Sequence, residues 1–230
     1  MNRVLGLDGA GKAGWVGVIV DDDGFVDANA GPLRSVIEWA EPVAAIGIDI
    51  PLGETPPSGR QAERAARAFV GPRRSSVFMP PPAMVLEGAP NGSPTYEAAN
   101  RQLAASGHPK VSRQAWALRA LIVEAALIAN DDPRMIEVHP EVSFRAMHGE
   151  PLQWSKKTWN GLQLRLQLLH GRGIELPGLL ETAGRAQTDD VVDAAAVAWS
   201  AHRHATGRSQ ALPATTTETD RHGRRLAIWY

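Results

Sequence analysis

Four aspartates interrupt apolar segments of the chain, and their chemistry is that of a metal site. Asp8 and Asp49 each directly follow an apolar run, and Asp190 and Asp193 lie in a segment rich in alanine and valine. Burying a carboxylate costs several kcal/mol unless a cation or a basic partner compensates it. Oxygen ligands suit hard cations such as Mg²⁺ and Mn²⁺ and suit zinc poorly. The four aspartates therefore predict one carboxylate cluster that holds divalent metal and hydrolyses a phosphodiester bond.

Each aspartate also has an explanation that requires no metal. Residues three apart on a helix project from the same side, which favours a joint role for Asp190 and Asp193. Acidic residues near a helix N-terminus are stabilised by the helix dipole, which would account for Asp189 and Asp190 without any function. Asp8 precedes a glycine and fits a turn, and Asp49 fits a cap for the segment that follows. The metal hypothesis depends on all three segments meeting in space.

A second polar group accompanies the predicted fifth strand and consists of Glu137, His139 and Glu141. In extended backbone Glu137 and His139 face the same way, so we expect both to line the catalytic cleft. There the histidine would move protons or contact a phosphate. The alternative is that Glu137 pairs with an arginine and that His139 packs beside Pro140.

Seven basic residues are candidates for contacts with substrate phosphates. Three arginines recur at helical spacing, two more follow in a proline-rich loop, and two lysines are adjacent further along the chain. They are Arg60, Arg64, Arg67, Arg73, Arg74, Lys156 and Lys157. Such a row is able to grip phosphates, but an arginine face on a helix is also commonly solvated or paired with a residue such as Glu63. The tryptophans form no stacking series and are expected in the core.

Composition limits the class of protein. The chain has 230 residues, of which 43% are hydrophobic and 21% charged, with no cysteine and a net charge of −1. The absence of cysteine excludes disulfides, thiolate catalysis and cysteine zinc sites. A near-neutral chain binds polyanions only through a local basic patch. Because a signal peptide and a long apolar run are both lacking, we expect a cytoplasmic protein outside the membrane, with a dimer permitted.

Apolar periodicity predicts an α/β fold around the aspartates. The first predicted elements are strands at residues 3–8, 14–20 and 25–30, a helix from residue 32 and a fourth strand at 43–49. A strand reached through a helix is expected to lie parallel to the strand that it joins. If the fourth strand lies beside the first, Asp8 and Asp49 become neighbours.

The rest of the chain is predicted to be mainly helical. Residues 51–110 are expected to form an irregular insertion over the site, with a helix at 59–70 and a proline-rich loop at 71–82. The later elements are predicted as helices at 112–130, 140–147, 156–170 and 188–205 and a fifth strand at 135–138. We expect Ser112 and Thr188 to cap their helices. The buried face of the helix at 112–130 is expected to comprise Trp116, Ala120, Val123 and Leu127.

Five segments of the chain resemble those of a known family. They are GLDGAGKAGW at residues 6–15, IDIPLG at 48–53, EVHPEVSF at 137–144, SKK at 155–157 and DDVVDA at 189–194. In this order they are similar to the domain of unknown function 429 (DUF429) family, which is grouped with RNase H-like nucleases. The resemblance spans nearly the whole chain and implies a single RNase H-like domain over residues 1–230. That fold has three layers, with a five-stranded mixed sheet whose second strand is antiparallel and helices on both faces.

The acidic residues also resemble, more distantly, those of RuvC-type Holliday-junction resolvases. In those enzymes the acidic residues lie on the first strand, the fourth strand and a late helix. Asp8, Asp49, Asp190 and Asp193 follow the same layout in the same order. The resemblance implies that these four residues bind Mg²⁺ or Mn²⁺, with Asp8 as the bridge between two ions.

Three functions fit these observations. The leading one is metal-dependent phosphodiester hydrolysis by a nuclease that acts on a structured nucleic acid, DNA or RNA, or on a nucleotide. An actin-like phosphotransferase is an alternative, because those kinases share the sheet and an Asp-Gly strand motif, although they use two such domains and this chain has room for one. The third is a non-catalytic protein that binds nucleic acid or a nucleotide and keeps an idle metal site.

Overall fold

A mixed β-sheet forms the centre of the fold. The computed structural model describes residues 2–11, 14–53, 55–56, 59–87 and 95–230. Within these residues the sheet consists of β1 (Val4–Gly9), β2 (Trp15–Asp21), β3 (Gly24–Gly31), β4 (Ile46–Ile48) and β5 (Met135–Glu137). The strand order is β3-β2-β1-β4-β5, with β2 antiparallel to β1 and β3 and with β1, β4 and β5 parallel. This arrangement confirms the predicted RNase H-like sheet and its antiparallel second strand.

Helices follow and connect these strands. The α-helices in the described part of the chain are α1 (Leu33–Ala40), α2 (Gln61–Val70), α3 (Ala83–Glu87), α4 (Tyr96–Ala105), α5 (Arg113–Asp131), α6 (Pro140–His148), α7 (Trp159–His170) and α8 (Thr188–Ala205). Short 3₁₀ helices span Gly71–Ser76 and Ala183–Arg185, and β6 (Ala211–Leu212) pairs with β7 (Ile228–Trp229).

Both faces of the sheet are buried. Successive side chains along a strand point to opposite faces, so a strand such as β1 contributes to both cores. On one face, Leu5 of β1 shares a core with Val36 of α1 and Ile122 of α5. On the other face, Val4 of β1 shares a core with Phe144 of α6 and with residues of α7 and α8. The helices on both faces confirm the predicted three-layer α/β fold.

The buried face of α5 differs from the prediction. The buried residues are Ala115, Ile122, Ala125 and Ala129. Leu127, which the spacing predicts to be inside, is 64% exposed. Apolar residues occur all round this helix, so their spacing does not define one stripe, and small alanines provide the close contact with the sheet. The expected burial of tryptophans also holds only in part, since Trp15 is buried whereas Trp159 is 73% exposed.

Two helix starts also differ from the prediction. Ser112 caps α5 as expected, accepting a hydrogen bond from the Ala115 amide at 3.1 Å. Thr188 does not cap α8, since it is the first helical residue and follows the N-cap position. Helix α7 begins three residues later than expected, because Thr158 caps it by accepting a hydrogen bond from the Gly161 amide at 3.1 Å. Lys156 therefore lies in the turn that precedes α7.

The predicted insertion at residues 51–110 contains more regular structure than expected. Helices α2, α3 and α4 lie within it, and a 3₁₀ helix occupies the first half of the proline-rich loop. Residues 54, 57, 58 and 88–94 of this region lie outside the described residues. The assignment of residues 1–230 to one domain stays a prediction. Across the described ranges, every helix is too short or too polar to cross a membrane.

Candidate active site

Two glycines in the sheet allow α8 to pack close to the strands that carry Asp8 and Asp49. A Cβ atom on Gly6 would lie 2.1 Å from the Ala198 backbone nitrogen, and one on Gly47 would lie 2.8 Å from Val197 Cγ1. Only glycine therefore allows α8 to lie directly on β1 and β4. Because side chains alternate along a strand, the residue two positions after each glycine faces the same helix. Asp8 occupies this position in β1. Asp49 is the first residue after β4, and its amide donates a hydrogen bond to the Leu7 carbonyl oxygen at 2.9 Å, which continues the pairing with β1.

Helix α8 supplies the remaining two aspartates. Its alanines and valines contact the sheet through its middle turns, which leaves the first turns beside the carboxyl ends of β1 and β4. Asp190 and Asp193 lie in these turns and line a cavity of about 300 Å³ together with Asp8 and Asp49. The structure thus brings all four predicted aspartates to one cavity. Asp193 is the more deeply buried of the pair on α8.

Burial and mutual repulsion dominate the electrostatics of this cavity. Burial raises the pKa of Asp8 well above its usual range, and the nearby Asp49 and Asp193 raise it further. Burial also raises the pKa of Asp49, although the nearby His139 and Lys156 side chains lower it. The pKa of Asp193 is raised to about 7 by burial, although the adjacent Lys156 ammonium lowers it. Burial therefore disfavours the ionised forms of these carboxylates.

Lys156 is the positive charge at the centre of the carboxylates. Its Nζ lies 2.5 Å from Asp193 Oδ2 and 3.2 Å from Asp189 Oδ2. Burial lowers the pKa of Lys156. The nearby carboxylates of Asp193, Asp8 and Asp49 raise it above its ordinary value, so the side chain stays protonated. Lys157 pairs with Asp189 at 2.6 Å and is 66% exposed.

The residues present fit a divalent cation, with one rearrangement. Among the described ion pairs, none joins Asp8, Asp49 or Asp190 to a lysine or arginine. Buried, uncompensated carboxylate oxygens are the donor set that Mg²⁺ and Mn²⁺ prefer. Within the described ranges, however, no three Asp, Glu or His side chains already stand close enough to hold an ion together. Binding therefore requires the side chains to draw together and the Lys156 ammonium to move away from Asp193.

Glu137 lies on the wrong side of the sheet for the predicted cleft. It pairs in register with Ile48, whose side chain belongs to the core under α1 and α5. Its Oε2 accepts hydrogen bonds from the Leu52 amide at 2.7 Å and from Arg60 Nη2 at 2.6 Å. The expectation that Glu137 lines the catalytic cleft is therefore wrong, and the alternative of an arginine pair is correct. β5 ends at Glu137, and His139 is already the N-cap residue of α6.

His139 does line the cavity, at the N-cap position of α6. Its Nδ1 accepts a hydrogen bond from the Glu141 amide at 3.2 Å, and its Nε2 lies 3.3 Å from the Ser76 carbonyl oxygen. A carbonyl oxygen only accepts, so this geometry assigns the ring proton to Nε2. Glu141 also borders the cavity, but its carboxylate is bound by the buried Arg165 at 2.6 Å.

The predicted basic residues do not all line the cavity. Arg73, Lys156 and Lys157 line the cavity. Arg64 and Arg67 bond to backbone carbonyl groups at the surface, near the exposed Arg74, and these three do not line it.

The prediction that Arg60 contacts substrate phosphates is wrong. Its side chain is fully buried and binds Glu137 at 2.6 Å, Glu63 at 3.3 Å and the Leu52 carbonyl oxygen at 3.0 Å. It precedes α2 at the N-cap position, where the backbone is extended and turns its side chain inward. Arg60 therefore neutralises buried acids and is not available to a phosphate.

Comparison with known proteins identifies the family. A model described as "Protein of unknown function (DUF429)" matches residues 6–218. The chain belongs to the DUF429 family. The matched region includes the four cavity aspartates and Lys156, so the family definition covers the whole candidate site. No curated protein and no solved structure is similar enough to match.

Some cavity residues of this DUF429 protein were not anticipated from sequence. Gln114 and Ser76 line the cavity, but a lone polar residue in a helix gives no sequence signal. A signal did exist for the Glu141–Arg165 pair, because Arg165 lies directly between Leu164 and Leu166. An arginine in that context indicates a buried acidic partner.

Proposed function

We propose that this DUF429 protein is a divalent-metal-dependent nuclease that hydrolyses phosphodiester bonds in structured nucleic acid. The observation that carries the proposal is the convergence of Asp8, Asp49, Asp190 and Asp193 on one cavity. These residues come from two neighbouring parallel strands and from the start of α8, and burial raises the pKa of Asp8 and Asp193.

The four aspartates would hold Mg²⁺ or Mn²⁺, which neutralises charge on a phosphate and polarises its oxygens. The chain's own residues bind and orient the substrate around them. Arg73 and Lys157 border the cavity and are placed to contact phosphates on either side of the reacting one. His139 holds the 3₁₀ helix and the start of α6 together through Ser76 and Glu141 and so shapes one wall.

The proposed cellular setting is the cytoplasm. A chain without cysteine needs no disulfide formation, which is compatible with that setting. Its substrate is DNA or RNA, or a nucleotide that carries the same phosphodiester or phosphate group.

A second candidate function is a non-catalytic nucleic-acid-binding protein. One observation favours it, namely the ion pair that Lys156 makes with Asp193 and Asp189. A lysine held among carboxylates neutralises part of their charge without any metal. In this alternative the cavity is an idle site, and the protein binds nucleic acid without cleaving it.

Cleavage assays with matched variants separate these candidates. Wild-type protein, Asp8→Asn, Asp190→Asn and the exposed control Asp27→Asn are incubated with labelled branched, duplex and single-stranded DNA and RNA, with Mn²⁺, Mg²⁺ or EDTA. We expect metal-dependent cleavage by wild type and Asp27→Asn, and a loss of at least about 100-fold in both cavity variants. Binding without cleavage would support the second candidate. A protein that cleaves none of these substrates and releases no heat on Mn²⁺ titration would overturn the proposed nuclease.

A further inference from the structure

Helices α4 and α5 form a basic and aromatic surface beside the cavity, which we name the α4–α5 surface after Tyr96, Arg113, Trp116 and Arg119. The Arg113 guanidinium lies 4.8 Å from the Tyr96 ring centroid, and the Arg119 guanidinium lies 4.0 Å from the Trp116 ring centroid. The two rings meet edge to face with centroids 5.9 Å apart. The four side chains therefore form a continuous row of cations stacked on rings.

The charge of this region contrasts with that of the whole chain. Residues 95–121 include four basic residues and one acidic residue, Glu97. The basic residues are Arg101, Lys110, Arg113 and Arg119. The complete chain has a net charge of −1, so positive charge is concentrated here. A local excess of this kind attracts polyanions even when the protein is nearly neutral.

Helix α5 contributes to both the candidate active site and the α4–α5 surface. Gln114 and Leu118 lie one turn apart on α5 and both line the cavity. Arg113 precedes the first of them and Arg119 follows the second. Successive residues of a helix are about 100° apart, so the two arginines project to the sides of the face that borders the cavity, and a strand must cross α5 to reach both sites.

The geometry of the arginines favours bases that are not stacked in a duplex. Arg119 is held by its ring contact and by a hydrogen bond from Nη1 to the Trp116 carbonyl oxygen at 2.8 Å. A guanidinium held over a ring is already oriented, so it loses little entropy when a ligand binds. Bases stack on such planes only when their own faces are exposed, as in single strands, loops and ends.

We propose that the α4–α5 surface binds a single-stranded segment of nucleic acid that leads into the carboxylate cavity. This inference rests on the proposed nuclease function and adds the surface and the strand type. Arg73 and Lys157 line the same cavity, where they add positive charge for the phosphates of the strand. Duplex DNA or RNA gains only the charge attraction and none of the stacking.

Binding measurements in EDTA test this surface independently of cleavage. Fluorescence anisotropy of labelled single-stranded DNA and RNA oligonucleotides, with their duplexes for comparison, gives Kd at several salt concentrations. The double variant Arg113→Gln/Arg119→Gln is compared with the single surface variant Arg113→Glu and with the control Arg34→Gln, an exposed arginine on α1. We expect single-strand binding to weaken at least about tenfold in both surface variants and to stay at the wild-type value in the control. The slope of log K against log salt should fall by about 1.4 in the double variant, about 0.7 for each lost charge on a single strand.

The possible outcomes separate the α4–α5 surface from the proposed nuclease activity. Wild-type affinity in Arg113→Glu, or duplex binding as tight as single-strand binding, would overturn the α4–α5 surface as proposed. The binding measurement in EDTA does not depend on metal. A protein that binds single strands through these arginines but does not cleave them with Mn²⁺ or Mg²⁺ present therefore upholds the surface and refutes the nuclease. A protein that cleaves nucleic acid while both surface variants bind normally refutes the surface alone.

Discussion

The Lys156 ammonium lies 2.5 Å from the carboxylate of Asp193, inside the cluster that is proposed to hold metal. The two residues are 37 positions apart in sequence and meet because the turn before α7 lies against the first turns of α8. The lysine is a fixed positive charge at a place where a divalent cation would otherwise compensate the same oxygens. A metal ion bound in this cavity would therefore compete with the ammonium group for Asp193.

Replacing Lys156 with methionine should strengthen metal binding. The variant removes the competing charge, so we expect Kd for Mn²⁺ to fall by about tenfold, which corresponds to about 1.4 kcal/mol. Without metal the variant should be less stable than wild type, because buried carboxylates lose their nearest cation. Calorimetric titration and thermal unfolding in EDTA measure the two effects. Lys157→Met is the matched control, since the Lys157 ammonium pairs with Asp189 rather than with Asp193 and is mostly exposed. Equal Mn²⁺ affinity in wild type and Lys156→Met would show that the lysine does not compete.

Gly6 should tolerate no side chain, because α8 lies directly against it. A Cβ at Gly6 would approach the Ala194 carbonyl oxygen to 2.3 Å, which forces the helix away from β1. We expect Gly6→Ala to lower the free energy of unfolding by about 3 kcal/mol and to weaken Mn²⁺ binding, because α8 carries two of the aspartates. Urea denaturation measures the stability. Gly178→Ala serves as the control, since a Cβ there meets nothing within 4 Å. A small stability change in Gly6→Ala, similar to that of the control, would contradict the close packing described.

The sequence predicts the location of the aspartates because two local rules are enough to do so. A carboxylate directly after an apolar parallel strand lies at the sheet's carboxyl edge, and residues three apart on a helix share a side. These rules place Asp8, Asp49, Asp190 and Asp193 together. Gly6 and Gly47, two positions before the strand aspartates, carry a further sequence signal that explains why α8 comes close enough.

Other contacts depend on where an element ends, which periodicity does not define. The strand that contains Glu137 stops at that residue, and its side chain binds Arg60, whereas His139 is the N-cap residue of α6 and lines the cavity. The row of arginines on α2 fails for the same reason, since Arg60 precedes the helix and turns into the core. The contact of Lys156 with Asp193 joins a turn to a helix and leaves no pattern in the sequence.

Glu137 should matter for stability and not for metal binding. It faces the core under α1 and α5 and neutralises Arg60, on the opposite side of the sheet from the four aspartates. We expect Glu137→Gln to lower the free energy of unfolding by about 3 kcal/mol, because a buried arginine loses a charged partner. The Mn²⁺ affinity should stay within about twofold of wild type, whereas Asp49→Asn should weaken it at least about tenfold. Denaturation and calorimetry on the same samples provide both numbers. Weaker Mn²⁺ binding in a fully folded Glu137→Gln protein would show that Glu137 does contribute to the metal site.

Glu63 should make the protein less stable as the pH rises toward 7. Its side chain is buried, and burial raises its pKa from 4.5 to about 7, although the charge of Arg60 lowers it. The native state therefore keeps a proton that the unfolded chain has already released. This contribution to stability is complete below about pH 4.5 and is lost as the pH increases to about 7.

A glutamine side chain has no acidic proton to lose, so Glu63→Gln should gain stability relative to wild type as the pH rises from about 4.5 to about 8. We expect the difference to change by about 3 kcal/mol, because each pKa unit corresponds to about 1.4 kcal/mol. Urea denaturation of both proteins at a series of pH values measures it. Glu97→Gln, at an exposed position on α4, should show a difference that does not vary over this range. A difference between Glu63→Gln and wild type that stays constant with pH would mean that Glu63 is ionised in the native core, with Arg60 fully compensating its charge.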